Sequence, residues 1–401
     1  MVPESVMKSL SVSTPTRIVL LVMDGLGDVR QQGKTPLEAA HTPVLDRLAA
    51  EGTLGLSDPI ASGITPGSGP AHVSLFGYDP IRYQIGRGIL EATGIEMKLE
   101  ASDVATRGNF ASMDGEGLIT DRRAGRISTE KNAELTALMS AAIPEVQGAE
   151  VILRTVKEDR FVAVFRGKGL DPRVSETDPQ ALGKKSLPAS PLVPEAAKTA
   201  AAVNEFIARA NATLQSHHPA NTLLLRGFSS PPTIPQMQEL YKLNPAAIAT
   251  YPMYRGLARL VGMTILPTGE TVADEFETLR KNWERFDFFF VHVKKTDSYG
   301  EDGNFAAKVK VIEEVDRLLP RLLELKPDVL AVTGDHSTPC LLKGHSWHPN
   351  PFLLSSPFVR VDEAEAFSEA QCLRGGLGRF PAEEAMALLL ANALKLEKFG
   401  A

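Results

Sequence analysis

Cysteine is scarce in this chain. Only Cys340 and Cys372 occur among 401 residues, so no disulfide framework is implied, and a reducing compartment, the cytoplasm, fits. Positive charge is not in excess either. The 43 Lys and Arg stand against 49 Asp and Glu, a net charge of −6, which argues against nucleic acid or an anionic membrane as partner. No apolar run approaches the roughly 18 residues that a membrane span needs. The stretch from Met1 to Thr16 is polar, lacks the apolar core of a signal peptide, and reads as a disordered leader. There is no internal repeat, and no biased segment beyond an Ala-rich helix around 196–202.

What is present is an ordinary globular composition, 43% hydrophobic and 23% charged. The length exceeds that of one ordinary core, so one large domain plus a second is expected. Ile18 to Met23 is a continuous apolar run, the pattern of a strand buried on both faces of a parallel sheet. It stops at Asp24-Gly25-Leu26-Gly27-Asp28. Thr42-Pro43 opens a helix, with Thr42 as N-cap and Gly52 past its end. Phe286 to Val293 is a second buried strand, ending at Lys294-Lys295-Thr296-Asp297. The helix that follows shows one apolar stripe (Phe305, Val309, Ile312, Val315, Leu319, Leu322), and Pro320 should kink it. Val329 to Val332 is the third strand, leading into Thr333-Gly334-Asp335-His336-Ser337-Thr338-Pro339. A last helix spans about 382–395.

Strands that alternate with helices and each end in an acidic residue predict a doubly wound α/β layer with its site at the strand ends. The middle of the chain differs, with short strands (Val104 to Ala111, Val151 to Leu153, Phe161 to Phe165, Thr222 to Leu225), more arginine, and a Pro/Ser loop from Lys184 to Pro194. The expected organisation is a discontinuous core, 1–97 with 244–401, interrupted by an inserted α+β domain, 98–243.

Four of the eight histidines (His292, His336, His345, His348) fall in the C-terminal stretch. Asp24, Asp297, Asp335 and His336 at strand ends, with His345, offer the carboxylate and imidazole donors of a borderline divalent metal. They exceed what one catalytic ion usually takes, whereas two ions about 4 Å apart would use them all. Ser68 lies in the turn Thr65-Pro66-Gly67-Ser68-Gly69-Pro70-Ala71-His72, before helix-compatible residues. A hydroxyl there can sit beside backbone N–H groups and a metal, both of which ease formation of an alkoxide.

These motifs occur in order with Lys34-Thr35-Pro36-Leu37-Glu38-Ala39-Ala40, Leu75-Phe76-Gly77-Tyr78-Asp79-Pro80, Gly86-Arg87-Gly88, Arg107-Gly108-Asn109-Phe110, Asp121-Arg122-Arg123-Ala124-Gly125-Arg126 and Leu224-Leu225-Arg226-Gly227. Together they resemble, over nearly the whole chain, the cofactor-independent phosphoglycerate mutases in their short form, within the alkaline phosphatase superfamily. The resemblance implies an alkaline-phosphatase-like doubly wound core with an inserted cap. It implies interconversion of 3-phosphoglycerate and 2-phosphoglycerate through phosphoserine at Ser68, without 2,3-bisphosphoglycerate. Asp24, Asp335 and His336 match the ligands of one metal beside Ser68, and Asp297 and His345 match ligands of the other.

Where the family usually has a further histidine, this chain has Glu301, an oxygen ligand that favours Mn²⁺ or Mg²⁺ over Zn²⁺, with Co²⁺ also to be considered; Asp302 is the alternative ligand. Arg107, Arg122, Arg123, Arg126, Arg226 and Arg255 match basic positions of the substrate cleft, Arg255 standing where lysine is commoner. His72 is placed with them, a structural histidine being the alternative. The implied partner is a small phosphorylated carboxylic acid, and a homo-oligomer is compatible with this reading. A metal-dependent phosphatase or phosphodiesterase, or a mutase of another phosphorylated or phosphonate acid, are the competing functions.

Overall fold

The computed structural model describes residues 2–400. Two compact units are present, one formed by residues up to Gln84 together with those from Ile234, the other by Ile85–Thr233. The expected insertion, 98–243, is displaced from this division at both ends. The helix Arg87–Gly94 packs on the strands Val104–Met113 and Thr222–Ser229 of the second unit. The helix Met237–Leu240 packs on Glu4–Leu10 of the first.

The first unit is built on an eight-stranded sheet in the order Thr264–Ile265, Pro245–Ala249, Phe288–Val293, Ile18–Met23, Val329–Thr333, Asn350–Ser355, Thr53–Asp58, Gly378–Pro381. Asn350–Ser355 runs antiparallel to both neighbours, and every other adjacent pair is parallel. The three strands read from apolar runs lie side by side at its centre, in register from Ile18 opposite Phe288 and Val329. All their residues are buried, as helices on both faces require. Their carboxyl ends therefore deliver Asp24, Lys294 and Gly334-Asp335-His336 to one edge of the sheet.

Three local expectations change. The segment read as a disordered leader contains the helix Glu4–Leu10. Its Met7 is buried, Glu4 accepts a hydrogen bond from Tyr83, and Ser11 pairs with Leu396; Met1 lies outside the described residues. Thr42 does precede the helix Pro43–Glu51, but its side chain caps no backbone N–H. Asp316, from the helix Phe305–Leu323, accepts from Val44 N at 3.0 Å and Leu45 N at 2.7 Å instead. That helix continues through Pro320, which stands in its last turn.

The second unit is an antiparallel six-stranded sheet. Ile119–Asp121, Val104–Met113, Arg160–Arg166, Ala149–Lys157 and Glu145–Val146 follow in that order, and Thr222–Ser229 also pairs with Val104–Met113. The helices Thr129–Ala142 and Ala197–Leu214 bury Leu135, Met139, Val203, Phe206 and Leu214 against Phe110, Phe161 and Phe165.

Candidate metal centre and arginine pocket

At the strand-end edge of the first unit, Asp335 and Asp24 each use one oxygen for protein donors and leave the other facing inward. Asp335 Oδ1 accepts from Gly25 N at 3.0 Å, whereas Oδ2 has no hydrogen-bond donor. Asp24 Oδ2 accepts from Lys294 Nζ at 2.9 Å and from the Tyr254 hydroxyl, while Oδ1 has no donor. His336 Nε2 lies 3.1 Å from Asp335 Oδ2 and 3.4 Å from Asp24 Oδ1. Asp24, Asp335 and His336 are all buried. Burial opposes ionisation of Asp24, but Lys294, His292 and His336 outweigh it and hold the carboxyl well below the usual range. Burial holds the His336 imidazole below its ordinary value, toward the neutral form that can donate a lone pair. Buried acceptors that converge without a donor are costly unless a cation joins them. The donor set therefore fits a divalent metal.

Ser68 is the first residue of the helix Ser68–Leu75, and its Oγ lies 3.1 Å from His336 Nε2. The serine thus stands at the same group of atoms, although its segment is far from the others in sequence. His72, one turn on, is wholly buried. Its Nδ1 lies 2.9 Å from Ser68 O and 3.2 Å from Asp335 Oδ2, so the ring braces the serine's helix from within.

A second group is formed by Asp297, His336 and His345, whose ligand atoms lie within 4.8 Å of one another, as do those of Asp24, Asp335 and His336. His336 is thus within reach of both groups, where the sequence placed it in one. His345 Nδ1 donates to Pro66 O at 2.9 Å. A carbonyl only accepts, so Nε2 is the bare nitrogen, and it points toward Asp297 Oδ1 at 3.6 Å. The His345 ring stacks on His336 with centroids 3.6 Å apart. Glu301 Oε1 is 3.9 Å from His345 Nε2, outside either compact group, and its side chain is 56% exposed. Asp302 belongs to neither compact group, and its backbone N–H donates to Ser298 O at the end of the helix Lys295–Glu301.

Several residues of this centre were given no role from the sequence, His292 being named only as a member of the C-terminal histidine cluster. Lys294 forms ion pairs with both Asp24 and Asp297. His292 lies behind Asp24, stacked on Tyr254 at 3.7 Å. Lys308 is fully buried and donates to Gly25 O at 2.8 Å, Asp28 Oδ2 at 2.9 Å and Thr338 O at 3.0 Å. The position of Lys294 directly after a buried strand, among acidic strand ends, was the available signal. Lys308 had none, because it sits on a helix otherwise marked only by its apolar stripe.

The second unit contains a cavity of about 200 Å³ lined by Arg107, Asn109, Arg122, Arg123, Glu158, Asp159, Arg160, Asp178 and Arg226. Arg107 and Arg226 are register partners across an antiparallel pair. Like charges directly opposite one another destabilise a sheet, and here each has a counter-charge: Glu91 lies 3.4 Å from Arg107, and Glu176 3.3 Å from Arg226. Arg122 is held by a bidentate pair with Asp178, at 2.9 and 2.6 Å, while buried Arg107 Nε has no acceptor. Burial together with Arg107 and Arg226 lowers the pKa of nearby Arg87. Of the six arginines named from the sequence, four line this cavity. Arg126 is exposed and outside the lining, and Arg255 belongs to the helix Pro252–Leu260 of the first unit.

Comparison with known proteins gives a consistent result. The family model described as 2,3-bisphosphoglycerate-independent phosphoglycerate mutase matches residues 49–221. A Thermotoga neapolitana protein named as a probable 2,3-bisphosphoglycerate-independent phosphoglycerate mutase is 55% identical over 392 residues, 98% of either chain. A Thermus thermophilus protein of the same name is 51% identical over 401 residues, 99% of either chain. Among solved structures, a Pyrococcus horikoshii protein is similar at 30% identity with a TM-score of 0.85, over 97% of this chain and 100% of the other. The cofactor-independent phosphoglycerate mutase of Thermoplasma acidophilum matches at 30% identity and a TM-score of 0.73, over 94% and 100%. The chain belongs to the 2,3-bisphosphoglycerate-independent phosphoglycerate mutase family.

Proposed function

We propose that this chain is an isomerase that interconverts 3-phosphoglycerate and 2-phosphoglycerate through a phosphoserine at Ser68, beside a centre suited to two divalent ions. The observation that carries the reading is the convergence of Asp24 Oδ1, Asp335 Oδ2 and His336 Nε2 on one another, with Ser68 Oγ 3.1 Å from the imidazole. Asp24, Asp335, His336 and Ser68 would hold one ion. Asp297 and His345 would hold the other, with Glu301 turning toward it and His336 within reach. Oxygen-rich donors with imidazole suit Mn²⁺, against Mg²⁺, Co²⁺ and Zn²⁺. When bound, the ions would supply positive charge that stabilises the serine alkoxide and the phosphoryl oxygens.

The chain's own residues account for the rest. Ser68 Oγ attacks the phosphorus of 3-phosphoglycerate, and the Oγ–P bond forms as the bond from phosphorus to the C3 oxygen breaks. The C2 hydroxyl oxygen of the retained glycerate then attacks the same phosphorus and displaces Ser68 Oγ. Each attacking oxygen loses a proton and each leaving oxygen gains one, so the exchange balances. Arg107, Arg122, Arg123 and Arg226 hold the glycerate carboxylate through charge-assisted hydrogen bonds, and Arg126 and Arg255 complete the substrate-binding set. His72 acts by holding Ser68 in place. The unit 85–233 serves as the substrate-binding lid that keeps water from the phosphoserine. The same reading places the chain in the cytoplasm, with a small phosphorylated acid as its partner.

Incubation with Mn²⁺ and 3-phosphoglycerate tests it. Formation of 2-phosphoglycerate in large excess over free phosphate is expected. Phosphate release without 2-phosphoglycerate would make the chain a phosphatase, and a far better turnover of another phosphorylated or phosphonate acid would reassign the substrate.

A further inference from the structure

We infer that Thr338 is a positioning residue that sets the tautomer of His336 and ties the two candidate metal groups together. The inference rests on the two-ion reading above. The Thr338 hydroxyl lies 2.7 Å from Asp297 Oδ1 and 3.0 Å from His336 Nδ1. It carries one hydrogen. Asp297 is ion-paired with Lys294, and a carboxylate only accepts, so the hydroxyl donates to Asp297. The remaining contact then requires His336 Nδ1 to carry the proton and donate to Thr338 Oγ1. Nε2 is left bare, and it is the nitrogen that faces Asp24 Oδ1, Asp335 Oδ2 and Ser68 Oγ. One hydroxyl thus aims the lone pair of His336 at the first group while fixing the rotamer of Asp297 in the second.

The surroundings hold Thr338 in the geometry this needs. A Cβ at Gly25, whose φ is +63°, would come 2.5 Å from Thr338 Oγ1, and one at Gly300 would come 2.4 Å from Thr338 O. Thr338 N donates to Gly27 O at 3.0 Å, and Thr338 O accepts from buried Lys308 Nζ at 3.0 Å. The Thr338 backbone is thus held on both sides, and its hydroxyl lies against Gly25. Outer-shell groups that orient imidazole and carboxylate ligands typically contribute about 10- to 100-fold to metal affinity.

The test uses the full chain stripped of metal by a chelator. Long-range ¹⁵N–¹H correlation of the His336 ring should show the proton on Nδ1; a proton on Nε2 in the unsubstituted protein overturns the inference without any variant. Calorimetric titration with Mn²⁺ should then show Thr338→Val weakened by about 10- to 100-fold, and Thr338→Ser restored to within about threefold of the parent. Parental affinity in a folded Thr338→Val protein also overturns it. A parent that binds no Mn²⁺ refutes the metal reading instead, while the ring tautomer still decides the role of Thr338.

Discussion

The two units handle buried charge in opposite ways. In the first, Asp24, Asp335 and Asp297 converge on imidazoles with Lys294 as the cation between them, and Asp24 Oδ1 and Asp335 Oδ2 keep no donor. In the second, Arg107 and Arg226 are set directly opposite one another in a sheet, Arg107 pairing with Glu91 and Arg226 with Glu176 and Asp178, while Arg107 Nε, Glu91 Oε2 and Asn109 Oδ1 keep no partner. The first centre leaves carboxylate oxygens that converge without a donor, whereas the second interleaves arginines with carboxylates. A fold optimised only for stability would pair these groups internally, since an unsatisfied buried polar group costs on the order of 1–3 kcal/mol. On the function proposed above, the first centre would take cations and the arginine cavity an anion.

The largest expected effect breaks the first half of this contrast. Ser68→Ala should abolish phosphoryl transfer, by about 10³-fold or more, and no phosphoenzyme should form with labelled substrate. Far-ultraviolet circular dichroism should be unchanged, because Ser68 caps no backbone group. A fully active variant would remove Ser68 from the mechanism. Next comes Lys308→Met, which leaves the Asp28 carboxylate buried without its partner. A loss of about 3–5 kcal/mol is expected, read from denaturant unfolding; a loss below about 1 kcal/mol would show that the ammonium is not holding the loops.

Arg226→Ala probes the second unit. Losing one charge-assisted contact should lower kcat/KM by about 10- to 100-fold. The melting temperature should hold within a few degrees, since Asp178 keeps its bidentate pair with Arg122. Equal loss of activity and stability would make Arg226 structural.

The fourth effect is graded with pH and concerns a buried carboxyl whose Oε2 has no hydrogen-bond partner. Glu275 is buried in the first unit, and burial, together with Asp274, Glu270 and Glu314, pushes it up to about 9 from 4.5. The folded state therefore holds a proton that the unfolded state releases above pH 4.5, so this group's contribution to stability falls as pH rises from about 5 to 9. By pH 7 the loss is on the order of 3 kcal/mol. Glu275→Gln should flatten the dependence of melting temperature on pH across that window, and an unchanged slope would contradict it. Asp24 and Asp335 are held below the usual carboxylate range by Lys294 and the histidines around them, whereas burial pushes Glu275 up.

Much of the fold could be read in advance where the physical signal was local. Ile18–Met23, Phe288–Val293 and Val329–Thr333 are uninterrupted apolar runs, and burial on both faces explains them. Thr53–Asp58 (TLGLSD), Asn350–Ser355 (NPFLLS) and the two-residue strand Thr264–Ile265 were not anticipated. They carry Gly, Ser, Pro or too few residues for a clear pattern, and their pairing is settled by neighbouring strands. The helix Glu4–Leu10 was missed for a related reason, since its contacts lie at Tyr83, Leu396 and other distant positions.

The same division runs through the site. Asp24, Asp297 and Asp335-His336 were legible because strand ends in a parallel sheet are where ligands bind, and residue type alone limits which chemistry they suit. The sequence thus determined the chemical class of the centre and the ordered motifs of its family. Tertiary structure alone decided that His336 reaches both groups, that His72 is a buried brace, that Arg255 and the other five arginines belong to different units, and that Lys294, Lys308 and Thr338 orient the rest. Those roles depend on ångström-scale distances between residues dozens to hundreds of positions apart, and no local pattern encodes a distance across the sheet.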